Sequence, residues 1–280
     1  MNNSMISSMV AMNGMQKRLD LIADNVANVN TVGYKSKEAT FEDTLTRVQG
    51  QADKMQLPGR SSQLGFNLGF GAKVSGTSTV FTQGPIQETG LPTDVAIQGN
   101  ALFAVEVNGN TAWTREGDFQ IHPDPADSTQ AYLTTSQGYR VLNTEGQPIK
   151  VPAGSKLQIT PSGSITAVNG TDTTDAGVLK LDYIQRPDGL QLLDNNLIGV
   201  MPGASVNDIL VSLSDPNASS KLTLEQMASV TVKQGALEQS NVDLTKEMTD
   251  TIQVQRAYQL SSRALTSSDE MMGLANHLRG

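Results

Sequence analysis

The alternation of apolar and polar positions predicts one long helix over residues 241–280. No Pro interrupts it, and Asn241 is the expected N-cap because its side chain can accept hydrogen bonds from the first free amides. Apolar residues recur at coiled-coil spacing, but polar residues share the same seam. The seam holds Leu244, Met248, Thr251, Gln255, Tyr258, Ser262, Leu265, Asp269 and Met272. A seam diluted in this way favours a helix that packs weakly against several neighbours.

The other end of the chain predicts a similar helix, from about residue 3 to residue 29. This stretch contains no Pro and a single Gly. We expect the helix to end through Asn28 and Asn30, which tolerate the left-handed conformation, with Gly33 as the stop. The two terminal helices are expected to pair as a coiled-coil-like stem. The alternative is that each helix covers a sheet within one globular domain.

Between the helices the hydrophobic period changes to two, which predicts an all-β domain. Asn108-Gly109 lies between two alternating segments and is typical of a tight hairpin. Further strands are predicted at 132–135, 139–142, 149–151, 156–160, 165–168 and 178–184. The fold class is therefore α+β. Its predicted parts are a stem helix at 1–35, a connecting segment at 36–73, the β-domain at 74–232 and a second stem helix at 233–280.

The connecting segment gives weaker signals. Residues 39–48 are predicted to form a short helical turn, and the Gly-rich stretch 49–71 is predicted to be a loop. The Leu-Gly-Phe alternation within 64–70 indicates some extended, half-buried character. This stretch lacks the Lys-Ser/Thr ending and the preceding strand of a phosphate-binding loop.

Composition and charge exclude several classes of protein. The formal net charge of −8 and the absence of basic clusters argue against a nucleic-acid partner. The chain has no Cys, so disulfides and thiolate chemistry are excluded. It has no apolar run of the length that a bilayer requires, so no lipid insertion is expected. The N-terminus lacks the pattern of a cleavable secretory signal, so export would need another route.

Candidate chemistry is sparse, and it predicts neither an enzyme nor a cofactor or metal site. His122 and His277 lack the spacing of metal ligands, and both are expected to be structural or exposed. Asp124 and Asp127 could bind a cation weakly, although a solvated turn is the favoured interpretation. Trp113 could stack on a sugar, but burial within a hairpin is favoured. No hydrolase, metalloprotease or dinucleotide motif is present.

Two long segments resemble the flagellar rod and hook proteins, the axial family of the bacterial flagellum. Residues 25–35, Asn-Val-Ala-Asn-Val-Asn-Thr-Val-Gly-Tyr-Lys, resemble its N-terminal signature. Ser240-Asn-Val-Asp-Leu and Ile252-Gln-Val-Gln-Arg-Ala-Tyr-Gln resemble its C-terminal signature. Phe41-Glu-Asp and Asp94-Val-Ala-Ile-Gln-Gly are similar to the rod members, and the distal-rod members match better than the proximal-rod or the longer hook proteins.

The resemblance implies a structural subunit that self-assembles helically into the rod, outside the cytoplasmic membrane. The implied partners are further copies of the chain, other rod proteins, hook or hook-cap proteins and the flagellar type III export apparatus. A proximal-rod or hook subunit is the nearest alternative, and a secreted glycan-binding β-module is an alternative of another class. The expected assembly interface comprises Leu19, Ile22, Asn25, Val26, Asn28, Asn30, Gly33, Tyr34, Leu244, Met248, Ile252, Gln253, Gln255, Arg256, Tyr258 and Leu265.

Overall fold

The fold is α+β and divides into two compact units. The computed structural model describes residues 2–43, 47–50, 65–68, 72–124, 127, 129–169, 172–214 and 222–278. Unit 1 is drawn from residues 1–27, 37–78 and 243–280, and unit 2 from residues 28–36 and 79–242. The sequence assigns 28–35 and 233–242 to the terminal stem regions, whereas these residues cluster with unit 2.

Unit 1 contains the two long helices and two small strand pairs. Its elements are α1 (Asn2–Ala27), β1 (Lys37–Asp43), β2 (Arg47–Gly50), β3 (Gly65–Leu68), β4 (Ala72–Thr79, of which Thr79 falls in unit 2) and, after the central region, α4 (Leu244–His277). Strand β1 pairs with β4, and β2 pairs with β3 in antiparallel register. Helices α1 and α4 lie against each other.

Unit 2 is mostly antiparallel sheet. Its strands are β5 (Ile86–Glu88), β6 (Val95–Gln98), β7 (Ala101–Val107), β8 (Asn110–Thr114), β9 (Gln120–Pro123), β10 (Gln130–Thr134), β11 (Arg140–Val141), β12 (Lys150–Pro152), β13 (Lys156–Ile159), β14 (Ser164–Asn169), β15 (Asp172–Val178), β16 (Leu181–Ile184), β17 (Leu190–Leu192), β18 (Leu197–Val200), β19 (Leu210–Ser212), β20 (Thr231–Gln234) and β21 (Ala236–Glu238). Two short helices, α2 (Val206–Ile209) and α3 (Leu224–Ala228), complete it.

The largest sheet of unit 2 has ten strands. Seven of them follow the order β12-β10-β11-β7-β8-β18-β17, while β9 pairs with β10, β16 pairs with β7, and β19 pairs with β16. Strands β13, β14 and β15 form a second sheet, while β20 pairs with β6 and β21 with β5. The last two pairs bring the C-terminal strands of the unit beside its first strands.

The core of unit 2 follows the alternation read from the sequence. Phe103 and Phe119 meet edge to face, with ring centroids 5.0 Å apart, among buried aliphatic residues of several strands. The predicted hairpin is confirmed, because β7 and β8 are joined by Asn108 (φ 51°) and Gly109 (φ 79°). Both residues have positive φ, as a tight hairpin turn with the native twist requires.

The ends of the long helices differ from the prediction. Helix α1 ends at Ala27, and neither Asn28 nor Asn30 has the positive φ expected of it. Gly33 does, with φ 68°. Helix α4 begins at Leu244, where the Asp243 carboxylate accepts hydrogen bonds from the backbone N–H groups of residues 245 and 246. Asn241 does not cap the helix, because its side chain is bonded within unit 2.

The prediction of a helical turn at 39–48 is wrong. The described part of this stretch is extended in β1 and β2, because backbone hydrogen bonds to β4 and β3 outweigh local helix propensity. The extended character predicted within 64–70 is confirmed over Gly65–Leu68. Most of the predicted loop at 49–71 lies outside the described residues.

Candidate assembly surface and buried charge cluster

The structure divides the predicted interface residues by their exposure. The buried ones are Ile22, Asn25, Gly33 and Tyr34. The half-buried ones are Leu19, Val26, Asn28, Tyr258 and Leu265. The exposed ones are Asn30, Leu244, Met248, Ile252, Gln253, Gln255 and Arg256. Only the last group is fully available at the surface of the single chain.

Helix α4 buries few of its side chains and exposes several large apolar ones. Its inward line contains Val254, Ala257, Ser261, Leu265 and Ser268, at spacings of three and four residues, and Val254 and Ser268 are its buried members. The exposed apolar residues of the helix are Leu244, Met248, Ile252, Leu260, Met271 and Leu274, and Leu278 is exposed just after its end. Packing within the single chain therefore leaves these large apolar side chains of α4 exposed to solvent.

Asn25 joins three elements of unit 1. Its side-chain amide donates to the carbonyl oxygen of Lys37 (3.0 Å) and to the Glu247 carboxylate (3.0 Å), and its Oδ1 accepts from the Lys37 amide (2.9 Å). Arg18 also contacts Asp250 at 3.5 Å. These contacts place the end of α1 beside the start of α4, with the two helices running in opposite directions. The buried Asn25 amide is thus used within the chain.

A groove of about 650 Å³ lies between α1 and α4. Its apolar lining consists of Leu19, Ile22, Ala23, Val26, Met248 and Ile252. Asp20, Thr251 and Gln255 add polar groups to the lining. The groove is therefore an apolar surface with one carboxylate at its edge.

Unit 2 contains a buried cluster of three charged side chains. The Glu238 carboxylate accepts from Lys35 Nζ at 2.7 Å and from Arg115 Nε at 2.5 Å. The side chains of Lys35 and Glu238 are only 2% and 1% exposed. Arg115 also donates to the carbonyl oxygens of Ala101, Ile97 and Gly99. One carboxylate is therefore the shared ion-pair partner of two cations that come from distant parts of the chain.

The same cluster fixes residues 28–36, the end of the N-terminal signature, within unit 2. The Gly33 amide donates to the Glu238 carbonyl oxygen at 2.8 Å. Asn241 accepts from the Ser36 amide through Oδ1 at 2.7 Å and donates through Nδ2 to the Val80 carbonyl at 2.8 Å. This explains why Asn241 does not cap α4.

Gly33 is required by both space and backbone conformation. Its φ of 68° disfavours residues with a side chain, and a Cβ here would lie 2.6 Å from the carbonyl carbon of Arg115. Gly33 therefore allows the backbone of the N-terminal signature to pass close to the backbone of Arg115, just after β8. It does not terminate α1.

Burial and charge act against each other at this cluster. Burial lowers the pKa of Lys35, and Arg115 lowers it further, while Glu238 opposes both effects. Burial alone would raise the pKa of Glu238, but Arg115 and Lys35 together outweigh it and lower that pKa. The carboxylate is therefore ionised in the folded protein.

The sequence prediction missed Lys35, Arg115 and Glu238 as partners. Charged side chains separated by 123 and 203 positions carry no shared local pattern. The sequence offered only indirect signs that these two residues are buried. Lys35 is the last residue of the N-terminal signature, and Arg115 follows a strand with buried residues.

A second group of carboxylates in unit 2, around Asp118, has no paired cation like those of Glu238 among the described residues. Asp94 and Asp118 face each other across an isolated bridge, and Glu116 accepts from Ser136 Oγ at 2.7 Å. One oxygen of Asp118 is buried without a hydrogen-bond partner among the described residues. Burial, reinforced by Glu116 and Asp94, raises the pKa of Asp118 to about 7.

The favoured interpretation of Trp113, burial within a hairpin, is confirmed, and the sugar-stacking alternative does not hold. Its side chain is buried and its indole N–H donates to Asp182 at 2.5 Å, so the ring presents no face to a ligand. His122 and His277 are exposed. The Asp124 backbone amide bonds to Gln130, and Asp127 accepts from Thr129, as in a solvated turn.

The described residues contain no group of three or more His, Cys, Asp or Glu side chains arranged to hold a metal ion. None of the helices that they form is long and apolar enough to span a membrane.

Known families match both ends and the β region of the chain. The profile described as "Flagella basal body rod protein" matches residues 5–35, and "Flagellar basal body rod FlgEFG protein C-terminal" matches residues 233–278. The profile "Flagellar hook protein FlgE/F/G D1 domain" matches residues 96–167. The three profiles follow the order expected of one protein family.

Similarity to individual proteins extends over nearly the whole chain. The chain is 35% identical to the flagellar basal-body rod protein FlgG of Agrobacterium fabrum, over 95% of each chain. It is 32% identical to FlgG of Borreliella burgdorferi, over 96% of this chain and 95% of that one. It is also 32% identical to the flagellar hook-basal body complex protein FlhP of Bacillus subtilis, over 100% of both chains.

The chain therefore belongs to the flagellar basal-body rod protein family. It is a structural subunit of the rod rather than an enzyme, and it is close to the distal-rod protein FlgG. Its location is the flagellar basal body, where rod proteins assemble with other basal-body components. The family resemblance read from the two signatures is confirmed.

Proposed function

We propose that the protein builds the rod by helical association of many identical copies through unit 1. The observation that carries this proposal is the set of large apolar side chains exposed along α4, with Ile6 and Met9 exposed on α1. Single exposed apolar residues are common, but several of them clustered on one helix are typical of an interaction surface. Further copies would cover these side chains.

The charge distribution supports contact between identical copies at unit 1. Unit 1 contains 11 Lys and Arg and 11 Asp and Glu residues, so its formal net charge is zero. Unit 2 contains 9 basic and 17 acidic residues and carries the whole net charge of −8. Copies of a neutral unit can pack closely without net repulsion, whereas copies of a strongly acidic unit repel one another.

In this proposal the predicted interface residues have two roles. Leu19, Val26, Tyr258 and Leu265 hold α1 and α4 together as a coiled-coil-like stem, comparable to the predicted stem regions 1–35 and 233–280. The exposed residues contact neighbouring copies, and these are Asn30, Leu244, Met248, Ile252, Gln253, Gln255 and Arg256. Residues 36–73 would connect the stem to a β-domain predicted at 74–232.

The proposal also includes other rod proteins, hook or hook-cap proteins and the export apparatus as partners. The ends of a rod made of one subunit would contact other rod proteins on one side and hook or hook-cap proteins on the other. The chain would reach this place through the flagellar type III export apparatus. Its similarity to FlgG over almost its full length supports this position in the rod.

The test is self-association of the purified protein, followed by sedimentation velocity and electron microscopy over a range of concentrations. We expect the wild type to form rods or large oligomers and Leu260→Asp to remain monomeric, because Leu260 is 65% exposed and would face a neighbour. Gln259→Asp is the control, since it adds the same charge at the adjacent exposed position. A wild type that stays monomeric, or a Leu260→Asp variant that assembles normally, would contradict the proposal.

A further inference from the structure

The exposed apolar residues of α4 form two separate patches. Leu244, Met248 and Ile252 lie in its first half, and Leu260, Met271 and Leu274 lie farther along. At 3.6 residues per turn, the two patches are about 120° apart around the helix axis. Each is also about 120° from the buried line that includes Val254 and Ser268. The patches therefore occupy opposite flanks of the helix.

The two flanks differ in shape and charge. The first-half flank, through Met248 and Ile252, forms a wall of the groove between α1 and α4, and Asp20 lies at the groove's edge. The second-half flank contributes no residue to the lining of this groove, and Arg263 is exposed one turn after Leu260. Neither Asp20 nor Arg263 has an ion-pair partner among the described residues. We call the patch of Leu260, Met271 and Leu274 the ridge.

We propose that the ridge of one copy binds in the α1/α4 groove of the next copy, with Arg263 of the first paired to Asp20 of the second. This inference rests on the proposed self-assembly and assigns its contact surfaces. In this contact each copy offers its ridge to one neighbour and its groove to another, so the contact is heterologous and leaves a free groove and a free ridge at the two ends. Such a contact extends into a filament unless its rotation closes a ring.

A second copy of the chain is the occupant that these surfaces fit. The ridge supplies apolar side chains and a cation, and the groove supplies apolar walls and an anion, so that each surface complements the other. A two-fold contact centred on the ridge would place ridge against ridge, bring two Arg263 side chains together and leave the groove uncovered.

The first test is disulfide crosslinking between two single-cysteine variants, which is clean because the chain has no Cys of its own. Ala23→Cys marks the groove and Met271→Cys marks the ridge. Glu270→Cys is the matched control, since it is exposed beside Met271 but faces about 100° away around the helix. Each variant is incubated alone and in pairs under mild oxidation, and crosslinked dimers are quantified by mass spectrometry.

We expect the mixture of Ala23→Cys and Met271→Cys to give at least a tenfold higher yield of crosslinked dimer than the mixture of Ala23→Cys and Glu270→Cys. Neither Ala23→Cys nor Met271→Cys alone should crosslink efficiently. Equal yields in the two mixtures, or efficient crosslinking of Met271→Cys with itself, would overturn the assignment.

The second test reverses the charge pair. Asp20→Arg and Arg263→Asp should each reduce assembly, and the double variant should restore it, because it rebuilds the pair with its signs exchanged. If the wild type assembles but the double variant assembles no better than the single ones, the groove-and-ridge contact is wrong while self-assembly stands. If the wild type itself does not assemble, both the contact and the proposed function fail.

Discussion

The two units of this protein treat apolar and charged side chains in opposite ways. Unit 2 buries its large apolar residues between sheets, carries the net charge of the chain and pairs its deeply buried cations with a buried carboxylate. Unit 1 has no net charge, buries only Val254 and Ser268 among the described side chains of α4 and leaves leucine, isoleucine and methionine exposed. One unit therefore covers its apolar surface within the single chain, whereas the other leaves apolar surface for other molecules.

This difference matches the division of work expected in a rod subunit. Burial within one chain stabilises unit 2 whatever its surroundings, since its apolar surface is already removed from water. The corresponding free energy in unit 1 is available only when another molecule covers α4. Substitutions in each unit test this contrast.

The largest effect is expected from Glu238→Gln in unit 2. Removing the carboxylate leaves Lys35 and Arg115 buried without a counter-charge, which we expect to lower the unfolding free energy by about 3–5 kcal/mol. Urea denaturation followed by the fluorescence of Trp113, the single Trp and a buried residue of unit 2, measures this loss. Glu88→Gln on the paired strand β5 is the control, since Glu88 is exposed.

Acid should have the same effect as Glu238→Gln. Because the folded-state pKa of Glu238 is lowered from 4.5, its contribution to stability is present above that pH and is lost as pH falls through the folded-state pKa. The stability difference between wild type and variant should therefore narrow in acid. A difference that stays constant with pH would show that the carboxylate charge is not the cause.

A matched leucine truncation in each unit tests the contrast directly. Leu133→Ala should lower the unfolding free energy of unit 2 by about 2–5 kcal/mol, because Leu133 is 1% exposed and its loss leaves a cavity. Leu260→Ala should change monomer stability, measured by far-UV circular dichroism, by about 0.5 kcal/mol or less, because Leu260 is 65% exposed. Comparable losses at the two sites would remove the distinction between the units.

A smaller effect than at Glu238 or Leu133, and one of opposite sign, is expected at Asp118, whose ionised carboxylate destabilises unit 2. Its pKa is raised from 3.8 to about 7, so the folded state binds a proton more tightly and stability falls as pH rises between those values. Asp118→Asn should then stabilise unit 2 by about 1–2 kcal/mol at slightly alkaline pH, a value reduced because the carboxyl is partly solvated.

The control for Asp118 is Asp172→Asn, an exposed position on β15. The advantage of Asp118→Asn over wild type should disappear near pH 4, where both forms of the protein are neutral at this site. An equal gain at all pH values would point to a packing effect instead of the ionisation of Asp118.

Local patterns predicted the elements that depend on local physics. The Asn108-Gly109 hairpin could be read directly, because its turn requires positive φ and the flanking strands alternate. The long helices could also be read, since few residues in them resist helix formation. The errors occurred where a distant strand competed: residues 39–48 were expected to be helical, but pairing with β4 and β3 makes their described part extended.

The candidate site shows the same division. Periodicity identified α4 as a helix with a diluted apolar seam, but it grouped the exposed Met248 with the half-buried Leu265. Which flank is covered depends on where α1 lies, and residue spacing along one helix carries no information about that. The two flanks of α4 could be separated only when burial in the folded chain was known.

Composition, signature segments and the periods of hydrophobic residues are enough to predict the family, the α+β class, the absence of thiol chemistry and the two long helices. The folded backbone is needed to find that Lys35 and Arg115 share Glu238, that Asn241 bonds residues 36 and 80 instead of capping α4, and that unit 1 keeps apolar flanks exposed. Burial and charge pairing depend on residues that lie far apart in the chain, and the fold sets which of them come together.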